Sequence, residues 1–297
     1  WARLLRSLGH TVKISEEYNN ENVDCLVALH AYRSASSVDK FRFLYPKRPL
    51  VVALTGTDIY KFQASHPEIV LRSMTLADRL VCLHDAVHLD IPKEFKPKLH
   101  VCRQFAAPLK GKRQPRSRTF DVCVVGHLRE EKDPMRAAYA SRSVPKESKL
   151  RVTHLGKALD EGWGRQARTE MESNSRYVWR GEVSYAAVRR EYRLTHLMVI
   201  SSVMEGGANV VSEAAVAGVP IVASGIAGNV GLLGADHPGL YKVQDTADLA
   251  RVLTRCEQDP AFMRELTKRS KQLAKQLTPA KERDAWRKVL AGLKAKR

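Results

Sequence analysis

The sequence has little of what cross-linked, zinc-binding or membrane-spanning proteins are built from. It holds five cysteines in 297 residues, and no apolar run reaches the length of a transmembrane helix. An odd number of cysteines without a Cys-x-x-Cys pair argues against a disulfide framework and a zinc cluster, and it favours a reducing cytoplasm. No short repeat is present. The cysteines are Cys25, Cys82, Cys102, Cys123 and Cys256.

Acidic residues are also scarce relative to basic ones. There are 50 Lys and Arg against 32 Asp and Glu, a formal net charge of +18, which predicts anionic partners. Part of this charge lies in residues 110–118 and in the lysine-rich C-terminus, and such runs are typical of solvated linkers and tails. The chain lacks an RNP-type aromatic run, zinc-finger spacing and a basic heptad region, so we expect no nucleic-acid partner. A basic cleft for small phosphate-bearing molecules is the sharper interpretation.

Short apolar runs alternate with helical patterns along the chain and predict strands buried on both faces. The segment 108–119, rich in Lys, Arg, Pro and Gly, predicts a linker between two such halves. We therefore expect an α/β protein with two doubly wound, Rossmann-like domains facing across a cleft. The expected parts are residues 1–112, residues 119–278, and a C-terminal helix, 279–297, that packs back on the N-terminal domain. The predicted strands are 11–14, 24–30, 49–54, 79–83, 98–105, 120–126, 150–156, 177–179, 197–200 and 221–223.

The strongest functional pattern is the segment Leu197–Ala223. It predicts a buried strand, a loop with Gly206 and Gly207, a helix from about Asn209 and a second strand. A helix N-terminus presents free N–H groups and a positive dipole end, and glycines let a diphosphate approach it closely. Glu213, in the second turn, is then placed to accept hydrogen bonds from a sugar diol. Two alternatives stay open: an ordinary strand–helix–strand unit with one Glu capping the helix, and an Asn209 that caps the helix instead of contacting a ligand.

A second polar loop, Gly126–Pro134, follows the first strand of the second half. It begins with Gly126 and His127. Arg129 and Lys132 can put two cations on one diphosphate, the arginine as a fork and the lysine as a point charge. The alternative is an exposed loop whose charges pair with one another.

Polar residues also end strands elsewhere. Thr55–Asp58, which includes Thr57, follows the 49–54 strand at the carboxyl edge, where open parallel sheets bind ligands. Asp58 is a candidate for binding sugar hydroxyls or orienting an acceptor, or else it stabilises the turn. His30 ends the neighbouring strand and is either a catalytic residue or a packed, capping one. Asn229, in a glycine-rich turn after the 221–223 strand, either closes round a donor sugar or needs no ligand at all.

The pair Glu205 and Glu213, followed by GG and AAVAG and set between apolar strands, resembles the donor-binding signature of GT-B glycosyltransferases of family 4. The resemblance implies a GT-B fold in which Glu213 binds the nucleotide ribose. It also implies that Glu205, with the backbone of Gly206 and Gly207, holds the donor sugar. The N-terminal domain is then the acceptor side and the C-terminal domain binds a UDP-sugar. In this fold a strand and loop are expected before Trp1.

The loop after the first strand of the second half is also similar to that family. Lys132 matches the family lysine, whereas the family arginine position holds His127, with Arg129 two residues on; either is its replacement. In the first half, Thr55 stands where members often have a histidine near the donor sugar. That departure leaves His30 as the alternative imidazole.

Six segments together resemble the selenosugar synthases, a branch of the same family. The resemblance implies transfer of a sugar from a UDP-sugar, chiefly UDP-N-acetylglucosamine, to selenophosphate, with formation of a C–Se bond. Arg129, Lys132 and the helix start near Asn209 would neutralise the leaving diphosphate. No Asp-x-Asp signature is present, so we expect no metal and no cofactor. The segments are WARLLRSLGH, DCLVALHAYRSASSV, VVALTGTDIY, FDVCVVGHLREEKDP, MEGGANVVSEA and GNVGLLG.

Two other functions stay open. The first keeps the enzyme class and exchanges selenophosphate for a lipid or small alcohol acceptor, without stable insertion into a membrane. The second is a basic nucleic-acid-binding protein, which the net charge alone motivates. The sequence sets no oligomeric state.

Overall fold

The computed structural model describes residues 1–293. Within that range the strands are short and strongly apolar. They are β1 Leu26–Ala28, β2 Leu50–Leu54, β3 Arg79–Cys82, β4 Leu99–Val101, β5 Phe120–Val125, β6 Leu150–Leu155, β7 Tyr177–Trp179, β8 Leu197–Ile200, β9 Ile221–Ser224 and β10 Leu240–Tyr241.

Helices connect these strands. Within residues 1–293, no helix combines the length and the apolarity that crossing a membrane requires. The helices are α1 Ala2–Ser7, α2 Ala35–Leu44, α3 Gln63–Ser65, α4 Pro67–Leu76, α5 Val87–Asp90, α6 Arg136–Arg142, α7 Glu161–Ser173, α8 Tyr185–Leu194, α9 Asn209–Val216, α10 Ala227–Leu233, α11 Thr246–Gln258, α12 Pro260–Ala274 and α13 Pro279–Leu290, with a π-helical turn over Asp58–Phe62 and 3₁₀ turns over Lys93–Lys98 and Glu130–Lys132.

The chain divides into two compact units, and each contains a parallel sheet with helices. The first unit comprises residues 1–105, residues 205–207 and the described residues from 278 onward. The second comprises residues 106–204 and 208–277. The predicted class, an α/β protein with two parallel-sheet domains, is confirmed.

The first unit is built on a four-stranded sheet in the order β1-β2-β3-β4, with every neighbouring pair parallel. Successive residues of β2 point to opposite faces, so Val52 joins one core cluster and Val51 the other. Trp286 of α13 is fully buried in the cluster that contains Val51. Both faces of β2 are therefore covered, which explains its continuous apolar run.

The second unit is built on a six-stranded parallel sheet in the order β10-β9-β8-β5-β6-β7. The chain builds outward from β5 in one direction through β6 and β7. It then crosses back to pair β8 with the other side of β5. In open parallel sheets this reversal marks the point where loops diverge and leave room for a ligand. The loops after β5 and β8 are therefore the place to look for a site.

Two sequence-based expectations about local structure are wrong. Residues 11–14 form no strand, because no described segment pairs with them and an isolated strand has no partner for its backbone. Residues 228–231 are not a free turn, since they lie inside α10.

The basic segment after residue 105 is also more than a solvated linker. The Arg113 guanidinium donates to the backbone carbonyls of Gly218 at 2.6 Å and Thr195 at 2.6 Å. It also donates to the carbonyl of Tyr192 at 3.3 Å. An arginine carries five N–H donors, so a single side chain can bind several helix and loop ends of the second unit.

Candidate functional site

The loops after β5 and β8 are tied together through their backbones. The N–H of Val203 donates to the carbonyl of Glu131 at 3.0 Å. The Ser201 hydroxyl lies 3.0 Å from the carbonyl oxygen of Lys132 and 2.9 Å from that of Asp133. The backbone of Lys132, the residue predicted to bind phosphate, is therefore held by the loop that follows the neighbouring strand β8.

The start of the β5 loop is held from the other side by the loop after β6. A Cβ at Gly156 would lie 1.9 Å from the carbonyl oxygen of Gly126, so only glycine fits there. The N–H of Leu128 donates to the carbonyl of Lys157 at 2.9 Å. The Lys157 N–H in turn donates to Nδ1 of His127 at 3.1 Å. The β5 loop thus contacts both the loop after β6 and the loop after β8.

The predicted cations of this loop differ in their surroundings. His127 is exposed, Lys132 is half-buried, and a Cβ at Gly126 would lie 4.0 Å from the Lys132 side chain. The Arg129 Nε lies 4.0 Å from the Glu131 carboxylate, at the limit of an ion pair. The alternative interpretation, in which the charges of the loop pair with one another, therefore holds in part for Arg129.

Helix α9 begins without a side-chain cap. Its N-cap residue is Ala208, and Asn209 is the exposed first residue of the helix. The side chain of Asn209 therefore does not cap α9. Five other helices of the described chain have side-chain caps, from Asp160, Ser184, Asp245, Asp259 and Thr278.

Glu213 lies one turn into α9 and is half-buried. The Tyr192 hydroxyl lies 3.5 Å from Oε2 of Glu213, and it also lies 3.9 Å from the sulfur of Met198. This hydrogen bond is long and shared. Because an ionised carboxylate accepts about four hydrogen bonds, most of the acceptor capacity of Glu213 stays open to a ligand.

The electrostatic setting of Glu213 comes from α8. Burial raises the pKa of Glu213, while the nearby charge of Arg189 and the Tyr192 hydroxyl act to lower it. Burial raises the pKa of Tyr192 well above its usual value, so its hydroxyl stays a donor. Sequence reasoning missed both residues, although their spacing of three puts them on one face of a helix.

The other half of the predicted signature lies in the first unit, which includes Glu205–Gly207. A Cβ at Gly206 would lie 2.2 Å from the carbonyl oxygen of Thr55. A Cβ at Gly207 would lie 2.4 Å from the Cβ of Leu83. Both glycines therefore have a packing reason to lack side chains, beside the predicted approach of a diphosphate.

Asp58 is fully buried and accepts hydrogen bonds from four backbone N–H groups. Its two carboxylate oxygens lie 2.8–3.2 Å from the amide nitrogens of Ala31, Thr55, Gly56 and Ile59. These bonds join the loop after β1 to the loop after β2. The arrangement is that of the turn-stabilising alternative.

His30 is buried with both ring nitrogens engaged. The N–H groups of Tyr32 and Arg33 each donate to Nδ1 at 3.1 Å, so Nδ1 is the bare nitrogen. Nε2 then carries the proton and donates to the Thr57 hydroxyl at 2.8 Å. Burial lowers the pKa of His30, with Asp58 acting in the opposite direction. The structure thus brings His30, Thr57 and Asp58 together, as a hydrogen-bonded loop support.

Asn229 is also fully buried. Its Nδ2 donates to the backbone carbonyl and the hydroxyl of Ser224, each at 3.0 Å. The Ser224 hydroxyl donates onward to the carbonyl of Ser202. Asn229 therefore ties the loop after β9 to the loop after β8, while its own Oδ1 is buried without a hydrogen bond.

A separate cavity of about 390 Å³ opens at the carboxyl ends of β6 and β7. The Trp179 indole lines it and donates to the carbonyl of Gly156 at 2.8 Å. Its charged groups are largely paired: Asp160 caps α7, and Arg168 binds Glu161. Such a cavity has no signal in the local sequence pattern, because its lining comes from separate loops.

No group of three or more His, Cys, Asp or Glu side chains within the described residues is arranged to hold a metal ion. The expectation that no metal is required stays a prediction.

Two parallel-sheet α/β units, the second with its polar loops at a switch point, define the GT-B class of glycosyltransferase fold. The model of the family "Glycosyl transferases group 1" matches residues 108–276, more than half of the chain. The chain therefore belongs to that family. No curated protein is significantly similar to the chain.

Solved structures share the fold at low sequence identity. TarM of S. aureus, a mutant solved with fondaparinux, alpha-GlcNAc-glycerol and UDP, has a TM-score of 0.72 and 14% identity over 90% of this chain. HepE of Anabaena, solved with UDP and glucose, has a TM-score of 0.74 and 16% identity over 91% of this chain. The pneumococcal O-GlcNAc transferase GtfA, solved with UDP and GlcNAc, has a TM-score of 0.73 and 15% identity over 89%. The chain spans 55% of TarM, 78% of HepE and 57% of GtfA.

Proposed function

We propose that this protein is a glycosyltransferase that transfers a sugar from a UDP-sugar, with UDP-N-acetylglucosamine as the donor and selenophosphate as the acceptor. The observation that carries the donor assignment is Glu213, a half-buried carboxylate with open acceptor capacity one turn from the uncapped start of α9. A rise of 1.5 Å per residue puts it about 6 Å along the axis from Asn209, roughly the spacing from a diphosphate to its ribose diol. The solved relatives that contain UDP support the same donor class.

In this proposal the diphosphate lies between the helix start and the β5 loop. Free N–H groups at the start of α9 and the ammonium of Lys132 stabilise the negative charge that grows on the leaving UDP. The backbone bonds of Ser201 and Val203 hold the loop in place, so little reorganisation is needed during the reaction.

The acceptor assignment rests on the sequence resemblance and on the state of the first unit. At position 55 the side chain is a hydroxyl, and it donates to the carbonyl of Leu29 at 3.3 Å. The His30 imidazole has no basic nitrogen to spare, since Nδ1 accepts two N–H groups. A selenium anion needs no base, because its lone pair attacks the anomeric carbon while the carbon–oxygen bond breaks and its electrons leave with UDP.

Mass spectrometry of the products tests the proposal. The protein is mixed with UDP-N-acetylglucosamine and selenophosphate, with no acceptor, or with an alcohol acceptor. We expect UDP and a selenium-containing sugar only in the selenophosphate arm. Donor consumption only with the alcohol would leave a glycosyltransferase with a different acceptor, and no consumption with either acceptor would contradict the proposal.

A further inference from the structure

Asn229 begins a series of buried hydrogen bonds that leads toward the backbone of Lys132. The side chain of Asn229 is fully buried on α10, and its Nδ2 donates to the backbone carbonyl and to the hydroxyl of Ser224, each at 3.0 Å. The Ser224 hydroxyl is fully buried as well and donates to the carbonyl of Ser202 at 2.5 Å. Because a hydroxyl has a single proton, the bond that Ser224 accepts from the amide leaves that proton for Ser202.

The series continues through a peptide group to the β5 loop. The carbonyl of Ser202 and the N–H of Val203 belong to one planar peptide. That N–H donates to the carbonyl of Glu131, the residue before Lys132, at 3.0 Å. The hydroxyl of Ser201, on the other side of Ser202, lies 3.0 Å from the carbonyl oxygen of Lys132 itself. Since the peptide is rigid, tilting its carbonyl also tilts the N–H that binds the β5 loop.

The bond from the amide to the Ser224 hydroxyl is the part of this arrangement that the backbone does not duplicate. The carbonyl of Ser224 also accepts from the N–H of Ile226 at 2.8 Å. The Oδ1 of Asn229 is buried and makes no hydrogen bond with the described residues, which costs free energy. Orientation of the Ser224 hydroxyl is therefore the specific contribution of the Asn229 side chain.

We propose that Asn229 is a positioning residue for sugar transfer, which acts through Ser224 and the Ser202 peptide on the loop that carries Lys132. The inference rests on the proposed function, since it needs the Lys132 ammonium to face the leaving diphosphate. A cation stabilises a developing charge best when it is already in place, and a misplacement of about 1 Å can slow a reaction by about 100-fold. Asn229 need not touch the donor to have this effect.

Removal of the amide should slow the chemical step more than it weakens donor binding. The negative charge on the diphosphate grows in the transition state, so a displaced ammonium loses most of its effect there. We expect Asn229→Ala to lower kcat by about 10-fold, with the KM for the UDP-sugar changed by less than about 2-fold. Ser224→Ala breaks the next bond of the series with a smaller change of volume. It should lower kcat by a similar factor, and it tests the proposal where Asn229→Ala does not fold.

Asn174→Ala is the matched control. Asn174 is a buried amide of the same unit, and its Nδ2 donates to the carbonyl of Ala138 at 3.1 Å and to the hydroxyl of Ser141 at 3.0 Å. It lies between α7 and β7, at the amino edge of the sheet. This variant should lose stability and keep the wild-type kcat. A fall in kcat equal to that of Asn229→Ala would show a general effect of buried amides and overturn the proposal.

A double-mutant cycle separates action through Lys132 from a general loss of structure. In the Lys132→Ala background the ammonium is absent, so adding Asn229→Ala should lower kcat by less than about 2-fold. The same fall of about 10-fold in both backgrounds would show that Asn229 acts on another part of the site and would overturn the inference.

Hydrogen exchange of the ligand-free protein keeps this inference separate from the proposed function. NMR follows the Val203 amide, which donates to Glu131, and the amides of β8 report global opening. We expect Asn229→Ala to speed exchange at Val203 by about 10-fold beyond any change in β8, and Asn174→Ala to leave that ratio unchanged. An unchanged ratio in Asn229→Ala overturns the inference even in an active enzyme. A wild type that transfers no sugar contradicts the proposed function, while the exchange ratio still decides whether Asn229 holds the loop.

Discussion

Asp58 and Glu213 are both carboxylates that follow a buried parallel strand, yet they have opposite surroundings. Asp58, in the first unit, is fully buried and accepts from four backbone N–H groups. Glu213, in the second unit, is half-buried and has one long hydrogen bond from a tyrosine that it shares with Met198. The fold uses all the acceptor capacity of the first carboxylate and little of the second.

The comparison shows how to separate a carboxylate that holds a loop from one that is available to a ligand. Both carboxylates follow a strand, so this position does not distinguish the two roles. What decides is whether the backbone already fills the oxygen lone pairs. The same reasoning applies to the two sheets, because the described strands of the first unit run in sequence order while those of the second reverse at β5 and β8.

The largest expected effect is that of Asp58→Asn. In this variant an amide NH2 replaces one carboxylate oxygen, so a hydrogen-bond donor faces the backbone N–H groups that donated to that oxygen. The unfolding free energy should therefore fall by about 3 kcal/mol. Denaturant unfolding measures the loss. Asp39→Asn is the control, since Asp39 is a partly exposed ion-pair partner of Arg72, and it should change stability by less than about 0.5 kcal/mol. Equal losses of unfolding free energy in the two variants would contradict the structural role of the Asp58 hydrogen bonds.

Lys132→Ala should slow sugar transfer by about 100-fold, because the variant loses the cation that we propose to face the leaving diphosphate. Steady-state kinetics with saturating donor measure the effect. Lys149→Ala serves as the control, since Lys149 is exposed just before β6, at the amino edge of the same sheet. Transfer unaffected in both variants would move the diphosphate away from the β5 loop.

Gly156→Ala tests the contact by which the loop after β6 holds the β5 loop. The new Cβ would collide with the carbonyl oxygen of Gly126, so the two loops must separate at a cost of about 2 kcal/mol. The midpoint temperature of thermal unfolding and the affinity for UDP should both fall. Gly164→Ala is the control, because its Cβ would meet the flexible end of Arg168 at 3.4 Å and the Cβ of Ala158 at an ordinary contact distance of 3.7 Å. A Gly156→Ala protein as stable as Gly164→Ala would contradict the contact.

Glu213→Gln should have a small effect on stability, opposite in sign to that of Asp58→Asn. The pKa of Glu213 is raised by burial, so the ionised side chain favours folding less as the pH rises above its ordinary value. The Gln variant avoids that loss. Its unfolding free energy should equal or exceed that of wild type at about pH 8, and the difference should shrink toward about pH 4. A variant that is clearly less stable at about pH 8 would show that the fold depends on Glu213.

The smallest expected effect is that of a chelator. In the proposed mechanism Lys132 and the start of α9 neutralise the diphosphate without a metal, so we expect EDTA to leave the rate of transfer unchanged. A rate that falls with EDTA and returns with a divalent cation would place the neutralising charge elsewhere.

The local sequence pattern predicted the central part of the second unit well. The bounds of β8 and the start of α9 at Asn209 agree with the sequence, because a short apolar run, a glycine loop and a helical repeat leave few alternatives. The fold class followed from the same alternation. Glu213 could be singled out because helical spacing alone places it one turn from the start of α9.

Long-range contacts account for what the sequence could not predict. Residues 11–14 alternate like a strand but pair with no other segment of residues 1–293. Arg113 was expected in a linker, whereas its guanidinium binds carbonyls 82 and 105 residues away along the chain. The hydrogen bonds that fill Asp58 and the charge of Arg189 near Glu213 likewise depend on side chains that come together only in three dimensions.

The most direct test of the account compares UDP with 2′,3′-dideoxy-UDP on wild type and on Glu213→Gln at one neutral pH. Hydrogen bonds to a charged group contribute about 1.5–3 kcal/mol, so wild type should prefer UDP by at least about 10-fold. In Glu213→Gln that preference should largely vanish, with the affinity for the dideoxy ligand unchanged. The same preference in both proteins would show that the ribose is held elsewhere and would contradict the central claim.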